Sequence, residues 1–168
     1  TAWNVGWAYR NDGVDIQKNE DNDARSNGYN VGWTNAGEWM KYTTTVESSG
    51  VYNLKLRYAS EGVSKIHIEL NNGDITNTIS LSSTGGYQTW AEHVIEDIVL
   101  YEGVSAIKLV IEDGSVNLGF MDFFLSKNID EVTFQALSAK TNITGNEIEI
   151  TFNKQLDTNS SWDFNDFT

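Results

Sequence analysis

The amino-acid sequence predicts an all-β protein, an antiparallel β-sandwich, on three observations. Apolar residues recur with period two in short runs. Tyr52, Leu54, Leu56 and Tyr58 alternate with Asn53, Lys55 and Arg57, and Ile107, Leu109 and Ile111 alternate with Lys108 and Glu112. Turn signals such as Ser48-Ser49-Gly50, Glu61-Gly62 and Asp113-Gly114-Ser115 separate the runs at short intervals. No stretch carries a helical period. Short half-buried strands of this kind hide their apolar faces by stacking as two sheets about 10 Å apart.

Composition narrows the class. The 168 residues suffice for one domain of ordinary size, or one plus a fragment, and contain no cysteine, so disulfides, thiol nucleophiles and Cys-zinc sites are excluded. The net charge of -13 repels phosphate backbones and anionic lipid, so neither nucleic acid nor a membrane surface is an expected partner. Acidity supplies oxygen ligands that suit calcium. No apolar run is long enough to span a bilayer, and no signal peptide is legible. The chain opens mid-pattern at Thr1, which leaves room for a leader upstream.

In chain order, residues 1–12 contain Asn4-Val5-Gly6-Trp7, an echo of Asn30-Val31-Gly32-Trp33 too short to define a repeat. Residues 13–17 read as a short strand and residues 18–30 as a long polar loop that does not fit an EF-hand. In residues 38–46, Met40, Tyr42, Thr44 and Val46 share one face, and Trp39, Lys41, Thr43 and Thr45 the other. Strands follow at 51–59 and 66–70, where Ile66, Ile68 and Leu70 alternate with Lys65, His67 and Glu69. Asn71-Asn72-Gly73-Asp74 is a hairpin signal. A strand over 75–81 points Ile79 and Leu81 inward. Thr84-Gly85-Gly86-Tyr87-Gln88-Thr89-Trp90 is a Gly-rich loop, and residues 93–100 form a strand with Val94, Ile98 and Leu100 as its apolar positions. The last strong strand runs from Val116 to Leu125. Residues 128–168 hold one good strand, Glu147 to Phe152, and are too few to bury a core alone.

Four constellations could carry chemistry. A pyranose offers C–H faces that stack on aromatic rings and a rim of hydroxyls that needs hydrogen bonds. Trp33 and Tyr87 are loop aromatics flanked by glycine. Asn117 begins the last strand and Gln17 ends the first. The two rings either build a sugar site or cap the ends of the sandwich. Trp39, on a polar strand face, either lies under a covering loop or forms a ligand platform. For a hydrolase, Asp15, Glu38, Glu61, Glu92 and Asp122 are conceivable carboxylates, and no motif singles out a pair. Asp122 lies in an otherwise apolar strand. It either faces solvent by alternation or is buried and asks for a cation, with calcium the candidate metal.

These residues resemble a family. Asn30-Val31-Gly32-Trp33 through Gly37-Glu38-Trp39-Met40-Lys41-Tyr42 is similar to the signature of family 6 carbohydrate-binding modules. So are Gly50-Val51-Tyr52 with the strand after it, Thr84-Gly85-Gly86-Tyr87-Gln88-Thr89-Trp90, and Val116-Asn117-Leu118. Ala8-Tyr9-Arg10 followed by Gly13-Val14-Asp15-Ile16 resembles a subgroup with a longer opening segment. The likeness spans residues 8–126. It implies a β-jelly-roll appended to secreted polysaccharide-degrading enzymes, with no catalysis of its own. By motif position, Trp33 and Tyr87 are the rings that sandwich a terminal sugar, and Asn117 reads its hydroxyls. Gln17 stands where many members have Glu, and Tyr87 where Trp is commoner. Trp39 falls at a second site on a sheet face. The family's opening Ile-Glu-Ala-Glu-like strand, which usually supplies calcium ligands, is not found before Ala8, and Glu147-Ile148-Glu149 has the chemistry to substitute. The run from Asn146 to Lys154 looks like the start of a bacterial immunoglobulin-like domain.

The resulting expectation is a noncatalytic module over residues 1–127 and an extension over 128–168. The module would be monomeric and secreted or at a bacterial-type cell surface. It would bind polysaccharide chain ends of β-glucan, xylan or agar-type glycan and anchor a covalently linked catalytic domain. Small exposed sites of this type bind at about 4–8 kcal/mol. The competing readings are a small glycoside hydrolase or lyase and a surface adhesion domain.

Overall fold

The computed structural model describes Ala8, residues 13–129 and residues 136–152, with backbone alone at 136–138, 151 and 152. The echo at Asn4–Trp7, Tyr9-Arg10 and residues 153–168 lie outside the described residues. The chain divides into two units, Thr1–Ser126 and Lys127–Thr168.

The first unit is the sandwich. Its strands are β1 (Ile16–Lys18), β2 (Tyr29–Val31), β3 (Trp39–Val46), β4 (Gly50–Ala59), β5 (Ser64–Leu70), β6 (Gly73–Asp74), β7 (Ile79–Leu81), β8 (Ala91–Leu100), β9 (Gly103–Asp113) and β10 (Asn117–Asn128). One sheet has the order β1-β2-β10-β4-β8 and the other β3-β9-β5-β6, with β7 also on β5. The registered pairs are antiparallel.

The alternation read from the sequence builds the core. Leu54 and Leu56 face Ile66, Ile68, Leu109 and Ile111, and all are buried. Each such side chain contributes about 1.5–3 kcal/mol on leaving water. The two-residue turn Asn71-Asn72 joins paired Leu70 and Gly73, with φ of 50° and 73°. Positive φ at both central residues is the type I′ geometry that matches strand twist, and asparagine tolerates it.

Three readings are corrected. The first strand starts at Ile16 rather than Gly13. Over 75–81 only Ile79–Leu81 is strand, because residues 75–78 turn back after the tight hairpin, with Thr76 and Asn77 N–H donated to Asp74 Oδ1. In β8 the apolar phase slips. The register shifts opposite Tyr52–Leu54, and Asp97 takes φ 59°. The bulge turns Ile95 inward together with Ile98 and Leu100 and leaves Val94 42% exposed. A period-two count cannot see an inserted residue.

In the second unit, β11 (Ala136–Thr141) pairs antiparallel with β12 (Ile148–Phe152). Asn142 closes the turn between them, donating from Nδ2 to Asn146 Oδ1 at 2.6 Å and to Glu147 Oε2 at 3.0 Å.

Candidate functional site

Trp33 stands at the tip of the β2–β3 loop in the left-handed region, at φ 52°. A bulky residue there costs about 1–2 kcal/mol and persists only where neighbours fix the backbone. They do so here. Buried Thr34 donates through Oγ1 to Val116 O at 2.6 Å and accepts from Val116 N at 2.8 Å. Asn35 Nδ2 donates to Trp33 O at 3.0 Å, and Glu38 Oε2 accepts from Asn35 N at 3.0 Å. Gly32 N donates to Asp15 O at 2.9 Å. The loop is tied at both ends, and the indole is 42% exposed.

Tyr87 stands on the β7–β8 loop and is 40% exposed. Thr84 N donates to Ser60 O at 2.8 Å, and Thr84 Oγ1 accepts from Ser60 N at 2.9 Å. Gln88 Oε1 accepts from Glu20 N at 2.9 Å, and Asn117 Nδ2 donates to Tyr87 O at 2.6 Å.

Between the two loops lies a cleft of about 550 Å³. Trp33 and Tyr87 supply its rings, and Asp15, Gln17, Asn35, Gln88 and Asn117 its larger polar groups. The β1–β2 pairing explains the arrangement: Gln17 lies opposite Asn30, and Leu118 pairs with Val31, so Gln17 and Asn117 flank the strand that leads into Trp33. Four sequence-predicted residues, Trp33, Tyr87, Asn117 and Gln17, therefore share one cleft. Sequence reasoning missed Thr34, Asn35, Gln88 and Ser115. The first three adjoin the two rings in sequence, which was the available signal.

Trp39 is not in this cleft. It is 57% exposed on the outer face of the second sheet, where Lys108 Nζ lies 5.5 Å from its ring centroid. Lys108 Nζ also donates to Glu69 Oε1 at 2.9 Å, and His67 lies between Glu69 and Glu112, at 3.4 and 2.7 Å. The Lys108 ammonium, with a smaller contribution from His67, holds the Glu69 carboxyl below the usual carboxylate range.

The loop between β1 and β2 folds through side chains. Asn19, Asp21 and Asp23 each accept the N–H two residues on. Arg57 grips Asp21 through two hydrogen bonds at 3.0 and 2.7 Å, which lowers the Asp21 pKa. Arg25 reaches Asp23 at 2.8 Å, Glu92 at 2.7 Å and Asp122 at 3.2 Å, and stacks on Phe120 at 4.8 Å. The Asp23 carboxyl is held far below the usual range by Arg25.

Asp122 joins the same cluster. Its side chain is 44% exposed and shares the Arg25 guanidinium with Asp23 and Glu92. Among the described residues, no group of three or more His, Asp or Glu side chains could hold a metal ion. Of the five carboxylates considered for hydrolysis, only Asp15 lines the cleft; Glu92 and Asp122 hold Arg25, and Glu38 closes the Trp33 loop.

Residues 8–136 match the family 6 carbohydrate binding module. The chain is similar to a family 6 module of Cellvibrio mixtus lichenase 5A solved with cellotriose, at 27% identity and a TM-score of 0.57, covering 66% of this chain and 86% of that one. It is also similar to the C-terminal family 6 module of a marine laminarinase from Zobellia galactanivorans, at 27% identity and a TM-score of 0.55, covering 65% and 87%. A β-1,3-glucan-binding family 6 module from Bacillus halodurans shares 25% identity at a TM-score of 0.55, covering 66% and 85%. With the family model matched over most of its length and two exposed aromatic rings at one polar cleft, this chain belongs to the family 6 carbohydrate-binding modules, noncatalytic domains that bind polysaccharide.

Proposed function

We propose that the cleft binds a β-glucan end, with Trp33 and Tyr87 stacking on the sugar and Asn117 and Gln17 reading its hydroxyls. The observation that carries this is the pair of exposed rings on two loops that line one cleft together with primary amides. Large rigid rings bind sugar C–H faces at little entropic cost, and primary amides suit a hydroxyl rim, with Asn117 keeping Oδ1 as an acceptor while its Nδ2 is on Tyr87 O. The β-glucan assignment draws on the neighbours, one solved with cellotriose and one described as binding β-1,3-glucan. Xylan and agar-type glycans are the other ligand classes to compare. The module acts as a secreted monomer that anchors a covalently linked enzyme to its substrate. The test is calorimetric titration with laminari-, cello-, xylo- and agaro-oligosaccharides. Saturable heat with the β-glucans, lost in Trp33→Ala, supports the reading; no heat with any glycan overturns it.

Trp39 is proposed as a second platform, supported by its exposure beside Lys108, Glu69 and His67. A Trp39→Ala change that lowers the stoichiometry on a polymer from two sites to one supports it; an unchanged stoichiometry overturns it. Calcium is proposed as a structural ion, with Asp122 the carboxylate that the sequence singles out for it. A melting temperature raised by calcium and restored by chelator supports this, and an unchanged one overturns it. The β11–β12 hairpin is proposed as the opening of a further immunoglobulin-like domain.

A further inference from the structure

Asn117 is 3% exposed, and its amide faces two different neighbours. On one side Nδ2 lies 2.6 Å from Tyr87 O. A carbonyl oxygen only accepts, so the end of the amide turned to it is the N–H end, and Oδ1 is turned the other way. There it stands over Gly32. A Cβ built on Gly32 would lie 2.9 Å from Asn117 Oδ1, 3.4 Å from Asn30 Nδ2 and 3.5 Å from Gln17 Nε2. Three amides therefore converge on the one residue with no side chain, immediately before Trp33. The φ of Gly32 is not in the left-handed region, so the backbone itself does not require glycine. What requires it is the space taken by the amides.

We propose that Asn117 does two jobs at once: its Nδ2, on the Tyr87 main-chain oxygen, fixes the loop that carries the Tyr87 ring, and its Oδ1 accepts a hydrogen bond from a sugar hydroxyl. Gly32 is thereby a positioning residue, because a side chain there would push the Asn117 amide out of the pose that serves both jobs. This rests on the carbohydrate-binding reading of the cleft.

Asn117→Asp separates the two jobs. Aspartate has the same shape and keeps Oδ1 as an acceptor, so an Asn117 that only reads a hydroxyl would be replaced without loss. If the N–H positions Tyr87, the carboxylate instead sets an acceptor against the Tyr87 carbonyl, and binding falls. Burial raises the pKa of that carboxyl. Once protonated it supplies an O–H donor toward Tyr87 O, and binding returns on acidification.

The experiment is calorimetry of the full chain with laminaritriose and cellotriose, from neutral to mildly acid pH, with melting temperatures alongside. Asn117→Asp is expected to bind roughly tenfold more weakly at pH 7, the worth of a hydrogen bond or two, and to recover on acidification where the native chain is unchanged. Gly32→Ala is expected to lose roughly tenfold at all pH, since its methyl displaces the amide ends. Gly62→Ala is the control, because a Cβ there meets nothing within 4 Å and its φ is not left-handed; it is expected to bind as the native chain does. Native-like binding by Asn117→Asp at pH 7, or a loss that acid does not reverse, overturns the positioning role. Native-like binding by Gly32→Ala overturns the part assigned to Gly32, and remains informative should Asn117→Asp fail to fold. A native chain that binds neither sugar overturns the carbohydrate-binding reading itself and this inference with it.

Discussion

Trp33 combines a strained backbone with a part-exposed ring at the cleft. Its left-handed backbone is held by Thr34 and Asn35, while its side chain is left 42% exposed outside the core cluster. Strain kept in place for an exposed ring is a mark of function. Trp33→Ala and Tyr87→Ala are each expected to weaken glycan binding at least roughly tenfold and to leave the melting temperature within about 2 °C, since neither ring is core. Calorimetry and differential scanning read the two effects separately. Thr34→Val is expected to do the reverse of a clean contact mutant. It removes both hydrogen bonds to Val116, costs about 1–3 kcal/mol in denaturant unfolding, and weakens binding through the misplaced Trp33 loop.

At the scale of elements, the loop between β1 and β2 is organised by charge. Asp21 is gripped by Arg57, so its folded pKa lies below the unfolded value of about 3.9. A depressed carboxylate pKa adds stability that is present above the unfolded pKa and is lost as pH falls through the folded one. Asp21→Asn is therefore expected to be less stable than the native chain at pH 7, by about 2 kcal/mol. The gap closes as pH is lowered below 4, because protonation removes the same charge from the native chain. Unfolding curves at a series of pH values check it. The bulge in β8 makes a second prediction. Ile95→Ala is expected to cost about 2–4 kcal/mol and Val94→Thr less than about 0.5 kcal/mol, although a simple alternation count puts Val94 inside. Denaturant midpoints distinguish the two.

At the scale of the molecule, the sandwich is a rigid carrier for loops. Each ring-bearing loop is tied to strands at its base, so stacking groups are presented with little entropy left to lose on binding. A weak site becomes useful when linkage raises the local concentration of an attached enzyme. Fused to a β-glucanase, this chain is expected to raise the rate of hydrolysis of insoluble β-glucan several-fold and to leave the rate on soluble trisaccharide unchanged. Trp33→Ala in the fusion is expected to remove the gain, as assays of released sugar on both substrates will read.

The sequence by itself determined the all-β class, the core and the rings. Period two and turn chemistry are local: Ile66, Ile68, Leu109 and Ile111 announce their burial by alternation, and Asn71-Asn72 announces its turn by composition. The family signature carried Trp33, Tyr87, Asn117 and Gln17 to one site. What the sequence left open was whether those rings capped the sandwich or faced a ligand, and which carboxylates were engaged. The tertiary structure places both rings, part-exposed, at one cleft and shows which carboxylates are paired. It set Asp122 against Arg25, 97 positions away, and Asn117 against Tyr87, 30 positions away. It slipped the phase of β8 by one residue and stood Trp33 on a left-handed backbone. The physical reason is that such contacts depend on which strands become neighbours, and strand order follows from the packing of the whole chain rather than from any window of it.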